Sequence, residues 1–154
     1  MPVLLEAIAK VKARFGSRVC VTGRTAAPFS SVGLLFGLHE TMMLPYTDRD
    51  LLARAIEFFT ELQVRFGLAQ LKAGADALWF GDCNASSHML SPQLYEEFAL
   101  PAARTVAEAY LQGGGFVFYH ASEEGKSLPL MTRLGAIGLS SGPGIDAAEA
   151  LAVT

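Results

Sequence analysis

An α/β fold with parallel strands alternating with helices is predicted for this chain, and three observations predict it. Four short, mostly apolar runs, at 18–23, 75–82, 115–120 and 136–141, have the glycine-bounded look of strands in a parallel sheet. Helical patterns lie between and around them. No linker, low-complexity tract or composition break interrupts the alternation, so residues 1–154 read as one domain. The order α-β-α-β-α-β-α-β-α implies right-handed βαβ crossovers, in an open doubly wound sheet or a (β/α) barrel.

The opening segment, MPVLLEAIAKVKARFG, sets Glu6, Lys10, Lys12 and Arg14 among its apolar positions and reads as an amphipathic helix, not a signal peptide. RVCVTG (18–23) is the first strand. Thr47 and Asp48 are capping residues for a long helix that closes on Gly74. Along it Leu51, Leu52, Ala55, Phe59, Leu62 and Phe66 recur at helical spacing, Glu61 and Arg65 form an i,i+4 pair, and Phe58, Phe59 and Phe66 are expected to pack in the core. ADALWFGD (75–82) is the second strand. Ser91 as N-cap with Pro92 at the first helical position opens the next helix, which Pro101 should kink or divide. GFVFYH (115–120) is the third strand, SLPLMTRLG a short helix ending on Gly135, AIGLSS (136–141) the fourth strand, and Asp146 opens a last helix.

Composition narrows the function classes. Hydrophobic residues make up 51% and charged residues 18%, so the chain is globular, and its mean hydropathy of +0.33 is high enough to expect apolar surface that meets a partner. A net charge of −3 with scattered Lys and Arg leaves no footprint for nucleic acid or an anionic membrane. Cys20 and Cys83 are far apart, which argues against a disulfide scaffold or a structural zinc knuckle and suits a reducing cytoplasm. No apolar run approaches the ~20 residues of a membrane span. The expected location is cytoplasmic.

In both candidate architectures chemistry sits at the C-terminal ends of the strands. Those ends read Thr22-Gly23-Arg24, Gly81-Asp82-Cys83, Tyr119-His120-Ala121-Ser122 and Ser140-Ser141-Gly142, which brings a guanidinium, an acid, a thiol and an imidazole to one rim. Each also has a plain structural reading. Asp82 can cap the turn that follows it, Cys83 can pack as a small hydrophobe, and Arg24 can pair with a carboxylate instead of binding an anion. His39 and His88 read as loop surface.

GADALWFGDCNASSHMLSPQLYEEFALPAARTV resembles the GAD-strand-D…SPxxYxEFxxP segment of the uroporphyrinogen decarboxylase superfamily, which includes cobalamin-dependent methyltransferases of the methylcobalamin:coenzyme M type. VCVTGRTAAPFSSVGLLFGLHETMM is similar to its strand followed by a Pro-Phe-Thr segment. GGGFVFYH and LGAIGLSSGPGIDAAEA are similar to its late strand with a histidine and its last strand and helix. The resemblance covers about residues 15–152 and implies a partial, half TIM-type barrel of about four parallel strands, the later half of a (β/α)₈ fold. It implies Asp82 and His120 as catalytic groups and Arg24, Pro28, Phe29 and Ser140 as substrate contacts. The superfamily's methyltransferases end the late strand His-x-Cys-Gly and bind zinc there, and zinc activates a thiol. Here the stretch is His120-Ala121-Ser122-Glu123, so His120 is the implied metal ligand, Ser122 stands in the cysteine's place, and Cys83 is a second donor within reach of the rim.

Three functions are expected from this. The first is a half of a corrinoid or thiol methyltransferase, with zinc and a corrinoid as cofactors and a corrinoid protein as partner. The second is a tetrapyrrole decarboxylase of the uroporphyrinogen type, which needs no cofactor. The third is a non-catalytic half-barrel. In each, open sheet edges and an uncovered inner face, lined by Val, Leu, Trp79 and Phe, are expected to be completed by a second copy, by a complementary N-terminal half, or by the rest of a longer chain.

Overall fold

Side-chain alternation along the strands sets the layers of this protein. Its computed structural model describes residues 2–16, 18–123 and 125–153. Four strands, β1 (Thr22–Ala26), β2 (Ala77–Gly81), β3 (Phe116–His120) and β4 (Gly138–Ser140), form one parallel sheet in the order β1-β2-β3-β4. Gly23, Thr25, Leu78, Phe80, Val117 and Tyr119 turn to one face and are buried, while Thr22, Arg24, Trp79, Phe116, Phe118 and His120 turn to the other. That second face has no covering layer among the described residues, and Phe116 on it is 55% exposed. The sheet does not close, so the fold is the partial (β/α) barrel expected, covered on one side only.

The covering layer follows chain order. Helix α1 (Pro2–Phe15) leads in. Helices α2 (Pro28–Phe36), α3 (Leu38–Thr47) and α4 (Arg49–Lys72) follow β1. Between β2 and β3 come a short 3₁₀ turn (Cys83–Ala85), α5 (Pro92–Leu94), a π turn (Tyr95–Ala99) and α6 (Leu100–Gln112). After β3 come α7 (Leu128–Met131) and a 3₁₀ turn (Thr132–Leu134), and after β4 comes α8 (Ala147–Val153). Helices α2, α4 and α6 pack on one another and on the sheet around Phe29, Leu52, Phe80, Tyr95, Val106, Tyr110 and Tyr119. The Tyr110 hydroxyl donates to the Gln63 carbonyl at 2.8 Å and lies 3.2 Å from Thr25 Oγ1, tying α6, α4 and β1 together.

Local signals explain most boundaries. Asp48 caps α4 by accepting from Leu51 N, Ser91 caps α5 by accepting from Leu94 N, and Asp146 accepts from Ala148 N and Glu149 N at the start of α8. Glu61 and Arg65 pair along α4. Pro101 does not break its helix. The π turn just before it adds a residue, and Leu100 N donates to Tyr95 O, so the missing donor and the ring of Pro101 are taken up by a bulge.

Several expectations are corrected. Strand β1 begins at Thr22, four residues later than predicted, because the polar stretch Thr22–Ala26 is what pairs with β2; the apolar residues Val19 and Val21 only lead into it. Residues 28–47, not read as helical, form α2 and α3. The N-cap position of α2 is Ala27, whose side chain cannot cap, so the local signal was missing. The open face carries Arg24, Trp79, Phe116 and Phe118, while Leu78 and Val117, of the types expected on it, point into the helices. Phe58 is 61% exposed and is not a core residue, whereas Phe59 packs against the core edge. His39 lies on helix α3 and not in a loop. Among the described residues no helix is long and apolar enough to cross a membrane.

Candidate functional site at the strand ends

Pairing register carries the last residues of β1, β2, β3 and β4 to one level: Ala26 opposite Gly81, Gly81 opposite His120, and His120 opposite Ser140. His120 is held from both sides of its ring. Nδ1 lies 3.1 Å from the Ser140 carbonyl oxygen and 3.0 Å from Ser140 Oγ, and Nε2 lies 3.0 Å from Ser122 Oγ. The Ser122 oxygen in turn lies 3.5 Å from Cys83 Sγ. Imidazole, hydroxyl and thiol thus form a line across the ends of β3 and β2. Ser122 has a φ of +53°, the left-handed region that a side chain enters at a cost, and this turn aims its hydroxyl back at the imidazole.

The imidazole also stacks on Trp79, with ring centroids 5.4 Å apart, and the Arg24 guanidinium sits 4.5 Å from the Trp79 centroid. Arg24 is therefore not at the rim, where it was expected, but mid-strand on the open face, stacked on the indole. Beside this stack a cleft of about 610 Å³ runs along the β1 edge, walled by Leu34, Leu62 and Phe66 and reached by Cys83. Another depression, about 520 Å³ between α4 and α6, lies in the helix layer away from the strand ends.

Asp82 follows Gly81, so alternation sends it away from His120. It is fully buried on the helix side. Oδ1 accepts from Ser30 N at 3.0 Å, which supplies from across the fold the cap that Ala27 lacks, and Oδ2 accepts from the Tyr119 hydroxyl at 2.9 Å. Burial pushes its carboxyl up to about 6, against the pull of the bonds from Ser30 and Tyr119. The Tyr95 hydroxyl lies 3.4 Å behind Tyr119, whose own ionisation burial and Asp82 push well upward. Asp82 meets His120 only through the backbone, donating its N–H to the His120 carbonyl at 2.6 Å.

The remaining expected residues separate in the same way. Ser140 is exposed and bonded to His120. Pro28 and Phe29 are buried at the start of α2. Sequence reasoning passed over Glu123, which is 1% exposed and organises the loop after β3. Its Oε2 accepts from Ser87 N, and its Oε1 from Ser87 Oγ, Gly125 N and Ser127 N, at 2.7 to 3.1 Å. Burial alone would raise its pKa, but these bonds outweigh that and hold the carboxyl below its ordinary value. The only signal was its position, directly after Ser122 at a strand end.

Zinc can be tested against this donor set. A catalytic zinc takes three protein ligands. Among the described residues no three His, Cys, Asp or Glu side chains converge, and the rim brings together only His120 and Cys83, with a serine hydroxyl between them. Zinc does not fit this set.

The sequence signature of the uroporphyrinogen decarboxylase (URO-D) family matches residues 1–154. The chain belongs to the URO-D family. Within that family it is similar to the methylated-thiol–coenzyme M methyltransferase of Methanosarcina mazei, 32% identical over 108 residues, 70% of this chain and 29% of the relative. It is also similar to the methylcobamide:CoM methyltransferase MtbA of Methanosarcina acetivorans, 24% identical over 94% of this chain and 42% of the relative. A uroporphyrinogen decarboxylase of Carboxydothermus hydrogenoformans is 26% identical over 96% of this chain and 44% of its own length. In structure the chain is similar to a methyltransferase from Methanosarcina mazei, with a TM-score of 0.83, 26% identity, and coverage of 90% of this chain and 41% of that one. This URO-D chain spans less than half the length of each of these relatives.

Proposed function

We propose that this chain forms the thiol-side part of a methyltransferase of the corrinoid branch of the URO-D family, acting on a small anionic thiol. The observation that carries the reading is the placement of His120: one ring nitrogen faces Ser140, the other faces Ser122 and through it Cys83. The names of the relatives, thiol and methylcobamide methyltransferases, support the same class. A bound methylcobamide would supply the methyl group.

The chain's own residues have defined tasks. Nδ1 of His120, facing the Ser140 carbonyl, holds a proton, which leaves Nε2 to accept one from an incoming thiol in the place Ser122 now fills. A thiol is a poor nucleophile until it loses that proton. Arg24, kept in place by Trp79, attracts an anionic group on the substrate. Asp82 acts as a positioning residue, fixing the start of α2 and the end of β3 under the rim. The open sheet face and the cleft at β1 are where a second copy or a complementary half-barrel completes the site.

The test is methyl transfer from methylcobalamin to 2-mercaptoethanesulfonate. The full chain, alone and mixed with a separately made N-terminal half of a relative, is assayed by loss of the methylcobalamin spectrum and by mass of the methylated thiol. Transfer that needs His120 and falls at least tenfold in Arg24→Ala is expected. Decarboxylation of a porphyrinogen with no methyl transfer assigns the chain to the decarboxylase class. Neither activity, in a mixture shown to associate, leaves the non-catalytic half-barrel.

A further inference from the structure

Backbone pairing between β2 and β3 ends with the bond from Asp82 N to the His120 carbonyl. His120 and Ser140 face each other by strand register. Ser122 and Cys83 do not. Both lie beyond the last paired residues, in loops, and a loop is held only by what bonds it. Their 3.5 Å contact therefore needs another cause.

Glu123 supplies one. Its side chain is 1% exposed, yet every bond it accepts comes from a loop and none from a helix or strand. Gly125 N and Ser127 N, from its own loop, bond Oε1 at 3.0 and 3.1 Å. Ser87 N and Ser87 Oγ, from the loop that carries Cys83, bond Oε2 and Oε1 at 2.7 Å each. The two shortest bonds are thus the two that cross between the loops, and bonds to an ionised carboxylate are the strong ones. On its backbone side, the Glu123 carbonyl accepts from Gly142 N at 2.8 Å, reaching the loop after β4. The chain is shaped for this: Ser122 at φ +53° before the glutamate and Gly125 at φ +134° after it turn the loop back toward the carboxylate. A buried charge adds nothing to an apolar core and is tolerated only where it is well hydrogen-bonded.

We infer that Glu123 is a positioning residue, which clamps the loop after β3 to the loop after β2 and so holds Ser122 between His120 and Cys83. The His-x-Cys-Gly pattern has a glycine at this place, with no side chain to make such bonds, so the clamp is a feature of this chain. It is independent of which reaction the rim performs.

Proximity, measured by disulfide formation, tests this. In the full-length chain carrying Cys20→Ser and Ser122→Cys, Cys83 and the introduced thiol are equilibrated in glutathione buffers. The intramolecular disulfide is read by peptide mass on the monomer. It should form, with an effective concentration that falls roughly tenfold or more when Glu123→Gln is added, as for the loss of bonds to a charged group. Ser87→Ala removes one bond and leaves the carboxylate in place. It should lower the value in the same direction by a smaller factor, and it decides the matter if Glu123→Gln does not fold. Circular dichroism checks that each variant is folded at the temperature used. A glutamate that only stabilised the fold would affect the melting temperature and leave the effective concentration unchanged, and that result overturns the clamp. So does failure of Cys83 to pair with the introduced thiol, because the two loops would then not be held in contact.

Discussion

The Tyr119 hydroxyl donates to the Asp82 carboxylate at 2.9 Å, at the ends of neighbouring strands and out of reach of water. Both belong to the helix side of the sheet, while His120, one residue beyond Tyr119, faces the open side. A single peptide step therefore separates a buried structural acid from the exposed rim.

Burial of Asp82 makes a pH-dependent contribution to stability. Its folded pKa, about 6, lies above the unfolded value, so the folded state binds the proton more tightly. This group's contribution is greatest in acid and is lost as pH rises from about 4 through 6. The shift corresponds to roughly 2–3 kcal/mol. Asp82→Asn keeps an acceptor for Ser30 N and carries no charge, so its stability relative to wild type should improve by about that amount between pH 4 and pH 8. Urea unfolding of both proteins at both pH values measures this, and parallel profiles would sink it.

Glu123 acts with the opposite sign. Its folded pKa is depressed, so its contribution is present above the ordinary glutamate range and disappears as pH falls through the folded value. Glu123→Gln turns an N–H₂ group toward donors and should cost roughly 2–4 kcal/mol at pH 7. The loop that carries Ser122 should loosen with it. Thermal unfolding reports the first effect. A changed His120 imidazole resonance reports the second, and an unchanged one would show that Ser122 is placed without Glu123.

Trp79 organises the open face without holding up the core. Trp79→Ala should change stability by no more than about 1–2 kcal/mol, since the indole is only half-buried. The His120 ring protons should shift downfield on losing the stacked indole at 5.4 Å. If those resonances do not move, the stack does not persist in solution.

Gly67 lies mid-helix, where alanine would ordinarily gain up to about 1 kcal/mol. Here a methyl group would overlap the ring of Tyr110, which is fully buried and tethered through its hydroxyl to α4 and β1. Overpacking costs about 1–3 kcal/mol and should win at its upper end, because the ring has nowhere to go. Gly67→Ala is therefore expected to be destabilising by about 1–2 kcal/mol in chemical denaturation. A stabilised variant would mean that Tyr110 can shift.

The alternation of strands and helices, the caps at Asp48, Ser91 and Asp146, and the His120 strand end were all legible in the sequence, because each rests on neighbours a few residues away. The family resemblance was legible for the same reason, in one continuous stretch around 75–105. Helices α2 and α3 were not, since the cap of α2 comes from Asp82, more than fifty residues on. Nor was the division of the strand-end residues into two populations. Asp82 and Cys83 are adjacent in the chain, yet one is sealed under the helices and the other joins His120 through Ser122. Which way each side chain turns depends on strand register, and register is settled only when the strands pair. Composition and local pattern decided what kind of sheet this chain builds; the pairing of its strands decided which of its polar groups face the open side.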